Sequence, residues 1–271
     1  MKILNGAEIA SYMKVNQAHT VKALNANGIY PKLVIIRDSE NPVISKYVEL
    51  KKAYGDDIGI EVEDWCREDV AGAIEEANSD TSVHGLIVQL PLNSEFSLDE
   101  ILGKIIPKKD VDGLNSYSSG DIRCFDSATA TAINWLLSAY DIPLSNLEIA
   151  LVGRGRLVGQ PLFRMWQDSK YDVTVFHRGD DLTRLVNFDV IVSATGSPHL
   201  ITNNLVKSGA IIVDAGTASE GGVLVGDVAD EVRERADLSA ITPKVGGVGP
   251  LTVTALFEHV LQAANQTSTN S

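Results

Sequence analysis

The sequence predicts an α/β protein of two domains, the second built on a parallel sheet covered on both faces. Three observations carry this reading. Short apolar runs at 32–36, 60–65, 85–90, 148–152, 172–176, 189–193, 210–214 and 240–242 alternate with segments of helical spacing or loops, and such alternation marks parallel strands joined by crossover helices. The length, 271 residues, exceeds that of one average domain. A glycine-rich stretch, Gly-Arg-Gly-Arg-Leu-Val-Gly at 153–159, hands the chain from the apolar run 147–152 to a helical segment entered through Pro161.

The first strand, 32–36, leads into Asp38-Ser39-Glu40-Asn41-Pro42. Asn41 suits an N-cap and Pro42 the first helical position, so a helix is predicted over 43–54. Residues 60–65 alternate apolar with acidic as a strand does, 70–78 have helical spacing, and 85–90 form a buried strand stopped by Pro91. The order is β-α-β-α-β. Residues 107–115 read as a loop, and Tyr117-Ser118-Ser119-Gly120 is the most linker-like tetrad in the chain. The division is therefore placed there, residues 1–118 forming the first domain and 119–250 the second. A helix over 129–139 opens the second series of strands. The tail, 251–264, is apolar at helical spacing, and 265–271 is polar and predicted to fray. There are no internal repeats.

Composition narrows the function classes. Lys and Arg number 23 against 36 Asp and Glu, a formal net charge of −13, so the surface as a whole repels phosphate backbones and anionic lipid; nucleic acid and membrane are excluded as expected partners. Hydrophobic residues at 44% and charged residues at 22% are ordinary globular usage. Cys66 and Cys124 form no C-x-x-C pair, and no His cluster has metal-ligand spacing. Residues 1–10 lack the apolar core of a secretion signal. A reducing, cytoplasmic setting is the expectation, with no metal.

The 153–159 loop has a physical use. Glycines let backbone approach a pyrophosphate, and a helix N-terminus offers unpaired N–H groups and a positive dipole end. The spacing G-x-G-x-x-x-G is one residue longer than the common dinucleotide pattern, so nucleotide site and plain strand-to-helix turn both stand at this point. In an acidic chain, an anionic ligand calls for local positive charge, which singles out Arg154, Arg156 and Arg178. Tyr47 and Lys51 lie four residues apart and share a helix face. A lysine whose pKa is lowered by burial can move protons, with the ring holding a planar substrate against it; alternatively, with Lys46 and Lys52 nearby, the face is simply solvated. Gln89 ends a buried strand, where its amide must find a partner, and Asp112 sits in a Gly-containing loop beyond it. Ligands of open α/β sheets bind at such strand ends.

Five segments carry a specific resemblance. Tyr47-Val48-x-x-Lys51, Val88-Gln89-Leu90-Pro91-Leu92, Lys109-Asp110-Val111-Asp112-Gly113, Gly153-Arg154 with Val158-Gly159-x-Pro161, and Gly246-Gly247-Val248-Gly249-Pro250-Leu251-Thr252 stand in the order and spacing of the bifunctional methylenetetrahydrofolate dehydrogenase/methenyltetrahydrofolate cyclohydrolase family, whose usual glycine-loop spacing is the one seen here. The chain resembles that family over nearly its whole length. The resemblance implies a folate-binding catalytic domain, a Rossmann-like NADP-binding domain, an active-site cleft between them, a C-terminal helix (251–271) packing back on the first domain, and a homodimer. It implies oxidation of 5,10-methylenetetrahydrofolate with a nicotinamide cofactor, then hydrolysis of the methenyl product to 10-formyltetrahydrofolate.

Carried over by position, the resemblance makes Lys51 the proton-transfer residue and Gln89 its hydrogen-bonding companion, sets Tyr47 against the folate, and has Asp112 grip the pterin. Val88, Leu90, Gly249, Pro250 and Thr252 would line the substrate site. The cofactor would be held by Gly153, Arg154, Gly155, Val158, Gly159, His177, Arg178, Ala194, Thr195, Gly196 and Thr217. An NAD site usually places an acid where the second strand of the nucleotide unit ends; here that strand ends in His177-Arg178, and a cation there attracts the 2′-phosphate of NADP. NADP is the expected cofactor, although Arg178 can also point to solvent beside Asp180 and Asp181.

Four departures stand out. Ser127-Ala128-Thr129-Ala130-Thr131-Ala132 replaces a family segment bearing two prolines, Gly155 replaces Ser, Lys244-Val245 replaces Val-Pro, and Ile44 stands where Ser is common. The loss of prolines is expected to loosen 127–132. Two other functions are weighed: a dehydrogenase without the hydrolytic step, against which Lys51, Gln89 and Asp112 all speak, and a catalytically idle nucleotide- or folate-binding module.

Overall fold

The computed structural model describes residues 1–93, 97–115, 125–220 and 223–268. In chain order the elements are β1 (Lys2–Ile3), α1 (Gly6–Ala26), β2 (Lys32–Arg37), α2 (Pro42–Ile58), β3 (Glu61–Cys66), α3 (Val70–Ser79), β4 (Gly85–Val88), α4 (Leu98–Leu102), α5 (Ala128–Ala139), β5 (Ile149–Val152), α6 (Gly159–Asp168), β6 (Val173–Phe176), β7 (Val190–Ser193), β8 (Ile211–Asp214), β9 (Ala218–Glu220), β10 (Val223–Val225), α7 (Asp230–Arg233), β11 (Ala240–Ile241) and α8 (Val248–Ser268).

The chain divides into two compact units, Met1–Ala10 with Thr129–Thr252, and Ser11–Ala128 with Val253–Ser271. The first holds a six-stranded sheet of order β1-β11-β8-β7-β5-β6, parallel throughout, with a separate β9–β10 hairpin. The apolar runs explain the burial. Ile149, Ala150 and Leu151 on β5 and Val190, Ile191 and Val192 on β7 are fully buried, as central parallel strands must be when both faces are covered.

The second unit holds a three-stranded parallel sheet of order β3-β2-β4. Leu33 to Ile36 of the central strand β2 are fully buried. Val34, Ile36, Leu86 and Val88 pack on Val70, Ala73, Ile74 and Ala77 of α3, which starts where the Asp69 side chain accepts from the Gly72 N–H at 2.9 Å. Gly85 lets α8 approach β4, since a Cβ on it would lie 2.9 Å from the Val260 side chain, whereas Gly55 lets α2 approach β3, its Cβ falling 2.4 Å from the Val62 side chain. The Tyr54 ring stacks on Phe257 at 4.9 Å.

Some features differ from the sequence expectations. The division falls between Ala128 and Thr129, and residues 1–10 go with the later sheet because β1 adds to its edge beside β11. The helix α1 was not foreseen. Its buried stripe is Ala10, Gln17, Val21 and Leu24, and a polar side chain inside a narrow stripe breaks the apolar periodicity. Gln17 is satisfied tertiarily, donating to the Thr254 carbonyl at 2.9 Å and accepting from the Tyr54 hydroxyl at 2.8 Å. The predicted fraying from 265 is not seen up to Ser268, where α8 ends. The proposed linker Tyr117-Ser118-Ser119-Gly120 lies outside the described residues.

Candidate functional site

In the six-stranded sheet the chain order reverses between β5 and β7, which leave the shared edge toward opposite sides. Ligands of open parallel sheets bind outside the carboxyl ends of strands at such a switch point. The glycine loop sits there. Gly153 has φ +93°, its N–H donates to the Phe176 carbonyl at 2.9 Å, and a Cβ on it would fall 2.7 Å from the Ala194 carbonyl oxygen and 2.9 Å from the Thr195 methyl. The loops after β5 and β7 therefore touch. Gly159, the first residue of α6, packs so close that a Cβ would stand 2.1 Å from the Gly153 carbonyl oxygen. Val158 is the N-cap of α6 and makes no side-chain cap bond. The Gln160 N–H donates to the Gly155 carbonyl at 2.9 Å and Pro161 has no N–H, so the Gly159 N–H is the first-turn donor that remains to meet an anion.

Other residues expected around a cofactor surround this edge. Thr195 donates from its N–H (2.7 Å) and its hydroxyl (2.9 Å) to Asp227, which also accepts from Ser193 at 2.7 Å. A Cβ on Gly196 would meet the Thr217 carbonyl at 3.4 Å, joining the loops after β7 and β8. His177 and Arg178 follow β6 in an exposed turn in which the His177 N–H donates to Asp180 at 2.7 Å. The Arg154 guanidinium lies over the Phe163 ring, 4.6 Å from its centre. Asp227, fully buried, was not singled out in the sequence. Its signal was weak because an acidic residue after a strand reads as surface until the fold closes over it.

In the other unit, α2 carries Tyr47 and Lys51 toward the end of β4. Register pairs Ile36 with Val88, so Gln89 emerges just past the sheet, its N–H donating to the Ile36 carbonyl at 2.8 Å. The Lys51 ammonium donates to Gln89 Oε1 at 2.7 Å. Burial lowers the Lys51 pKa, opposed by the nearby Asp112 carboxylate; burial raises the Asp112 pKa, opposed by Lys51 and His259. Burial also raises the Tyr47 phenol. Val88 is buried and Leu90 half-buried against the α3 side of the core. This set unites a buried amine, its amide partner, an aromatic ring and a carboxylate.

The Asp112 loop is fastened from several sides. The Lys109 ammonium donates to the carbonyls of Ala77, Asn78 and Asp80 at 2.8, 3.0 and 2.6 Å, closing the C-terminus of α3. The Asp110 carboxylate accepts from the Asn115 and Leu114 N–H groups at 2.7 and 3.3 Å, while burial pushes its pKa up to about 6. Thus Lys109 and Asp110 build the turn and leave Asp112 to face Lys51. Gly249 and Pro250 lie in the first turn of α8 and Thr252 directly after it, within the six-stranded unit.

Against known proteins, residues 4–112 match the model of the tetrahydrofolate dehydrogenase/cyclohydrolase catalytic domain, and residues 127–268 that of the tetrahydrofolate dehydrogenase/cyclohydrolase NAD(P)-binding domain. The chain belongs to this family. Among relatives of the tetrahydrofolate dehydrogenase/cyclohydrolase family, the bifunctional protein FolD of Macrococcus caseolyticus is 37% identical over 98% of both chains. A solved FolD dehydrogenase/cyclohydrolase from Campylobacter jejuni is similar with TM-score 0.92 and 32% identity, covering 98% of this chain and 99% of that one. The Trypanosoma brucei enzyme, solved with NADP and an inhibitor, has TM-score 0.90 and 26% identity over 98% of each chain.

Two departures from the family pattern have a structural answer. The segment expected to loosen forms the start of α5, where Ala128, Ala130 and Ala132 are completely buried; small side chains pack there in place of proline rings. A Cβ on Gly155 would meet nothing within 4 Å, so the family's Ser and this Gly are interchangeable in space.

Proposed function

We propose that the chain oxidises 5,10-methylenetetrahydrofolate with NADP and hydrolyses the methenyl product to 10-formyltetrahydrofolate. The single observation that carries this reading is the Lys51–Gln89 hydrogen bond at 2.7 Å beside Asp112, standing in a chain of the matching family. Asp112 accepts from the amino and ring N–H groups of the pterin, since a carboxylate takes two such donors more strongly than an amide does. Tyr47, Val88 and Leu90 bound the ring. Lys51, its pKa lowered by burial, takes a proton from the water that adds to the methenyl carbon and returns it to N5 as the C–N5 bond breaks, leaving the formyl group on N10, while Gln89 holds its amine in place.

The glycine loop fits a dinucleotide: Gly153 and Gly159 bring backbone against backbone where no side chain has room, Gly155 leaves open space beside them, and with Arg154 and Val158 they would follow the pyrophosphate at the start of α6. NADP held there would supply the hydride acceptor for the methylene carbon; His177 and Arg178 would hold its 2′-phosphate, and Ala194, Thr195, Gly196 and Thr217 its ribose and nicotinamide. We assign the protein to one-carbon metabolism in the cytoplasm, as a homodimer.

The test incubates purified protein with 5,10-methylenetetrahydrofolate and either NADP or NAD, following reduced cofactor, methenyl and formyl products together. Formation of NADPH and 10-formyltetrahydrofolate supports the reading. No reduced cofactor with either nucleotide removes it, and reduced cofactor with methenyl accumulating at the uncatalysed hydrolysis rate selects the dehydrogenase alone.

A further inference from the structure

His259 lies on α8 and is nearly buried, 6% exposed. Its Nδ1 is 2.8 Å from the Val111 carbonyl oxygen. A carbonyl only accepts, so Nδ1 carries a proton, and burial, which lowers the ring's pKa, favours the neutral form with Nε2 unprotonated. The ring stacks on Phe125, centres 5.1 Å apart and planes at 27°, which fixes its tilt as well as its position. Val111 is fully buried, and its carbonyl belongs to the peptide unit that leads directly into Asp112. On the other side of that residue, the Asp112 carbonyl accepts from the Ala128 N–H at 3.3 Å. Asp112 is thus held at the peptide before it by a side chain and at the peptide after it by backbone.

We propose that His259 is a positioning residue for folate recognition: by gripping the Val111 carbonyl it sets the direction in which the Asp112 carboxylate points. The inference rests on the reading of Asp112 as the pterin acceptor. Bidentate recognition depends on angle, and a loop released by a few tenths of an ångström loses part of that geometry while keeping its fold. The Lys109 and Asp110 contacts hold the turn as a whole, whereas His259 alone, among the contacts described for α8, reaches the peptide beside Asp112.

Two variants and one control test it. His259→Phe keeps a ring against Phe125 and removes the donor; it raises the KM for 5,10-methylenetetrahydrofolate roughly tenfold, the effect of one buried hydrogen bond, with kcat within about twofold and the KM for NADP unchanged. His259→Asn places an amide N–H where Nδ1 stood and restores the folate KM to within about threefold. An unchanged folate KM in His259→Phe, an equal rise in both KM values, or no rescue by Asn overturns the inference. Asp112→Asn separates the two levels: if it loses folate binding while His259→Phe does not, the His259 proposal fails alone, and if Asp112→Asn binds folate normally the underlying site reading fails. Nitrogen-15 spectra of histidine-labelled wild-type protein supply a check that needs no variant to fold. An Nδ1–H tautomer at His259 that shifts on adding tetrahydrofolate but not NADP supports the proposal; an Nε2–H tautomer overturns it.

Discussion

Lys51 gathers the chemistry of one unit onto a single amine. Its pKa is set by two opposed effects, burial lowering it and the Asp112 charge raising it, and the first is larger. Lys51→Met should fold, because an unbranched side chain suits α2, yet hydrolyse methenyltetrahydrofolate no faster than the uncatalysed reaction; wild-type turnover would show the amine to be a bystander. Asp112→Asn removes the charge that holds the Lys51 proton on. The Lys51 pKa then falls further, the proton-free amine is available at lower pH, and the acid limb of the hydrolysis profile at saturating folate moves to lower pH. Folate binding in the same variant should weaken by roughly 2–4 kcal/mol, since an amide N–H would then face pterin donors. An acid limb that stays in place would mean the two groups do not feel one another.

At the level of elements, the closeness of α6 to β5 makes the nucleotide edge. The Gly159 Cα approaches the Gly153 carbonyl so nearly that any side chain collides with rigid backbone. Gly159→Ala must push the first turn of α6 outward, carrying the residue-159 N–H away from the pyrophosphate. NADP affinity is expected to fall by at least tenfold, more than 1.4 kcal/mol, while tetrahydrofolate affinity changes little; calorimetric titration of both ligands decides it. Gly155→Ser is the matched comparison, because the space there is open, and it should leave NADP binding within about twofold. Equal losses from both substitutions would place the cofactor elsewhere.

On the scale of the whole chain, the two compact units are not consecutive halves. Residues 1–10 complete the six-stranded sheet, and the last part of α8 belongs to the other unit. That part contributes Leu256, Phe257, Val260 and Leu261, all nearly or fully buried. At about 1.5–3 kcal/mol for each such side chain, removing them costs on the order of the whole stability of an ordinary domain. Truncation after Thr252 should therefore abolish tetrahydrofolate binding and leave residues 11–115 open to limited proteolysis, with the six-stranded sheet more resistant. A truncated chain that binds folate normally would show that α8 only decorates the unit it covers.

Alternation of apolar runs with helical spacing made the α/β class and most strand positions legible, because central parallel strands are apolar on both faces and helices on one. The candidate site residues were legible mainly through the resemblance: Lys51 stood out locally only by its four-residue spacing from Tyr47, Gln89 and Asp112 by their place at and beyond the end of a buried strand, and Gly153 and Gly159 by punctuating a strand-to-helix turn. Neither signal reaches features made by distant parts of the chain. Gln17 in the α1 stripe, Asp227 beneath the Thr195 turn and His259 against the Val111 carbonyl each find their partner more than 30 residues away, so their polarity reads locally as exposure. The strand order, the junction of β1 with β11, and the low pKa of Lys51 belong to the same class. Local sequence dictates backbone periodicity and turn geometry, but burial of a charge and the partner that satisfies it exist only once remote segments have packed together.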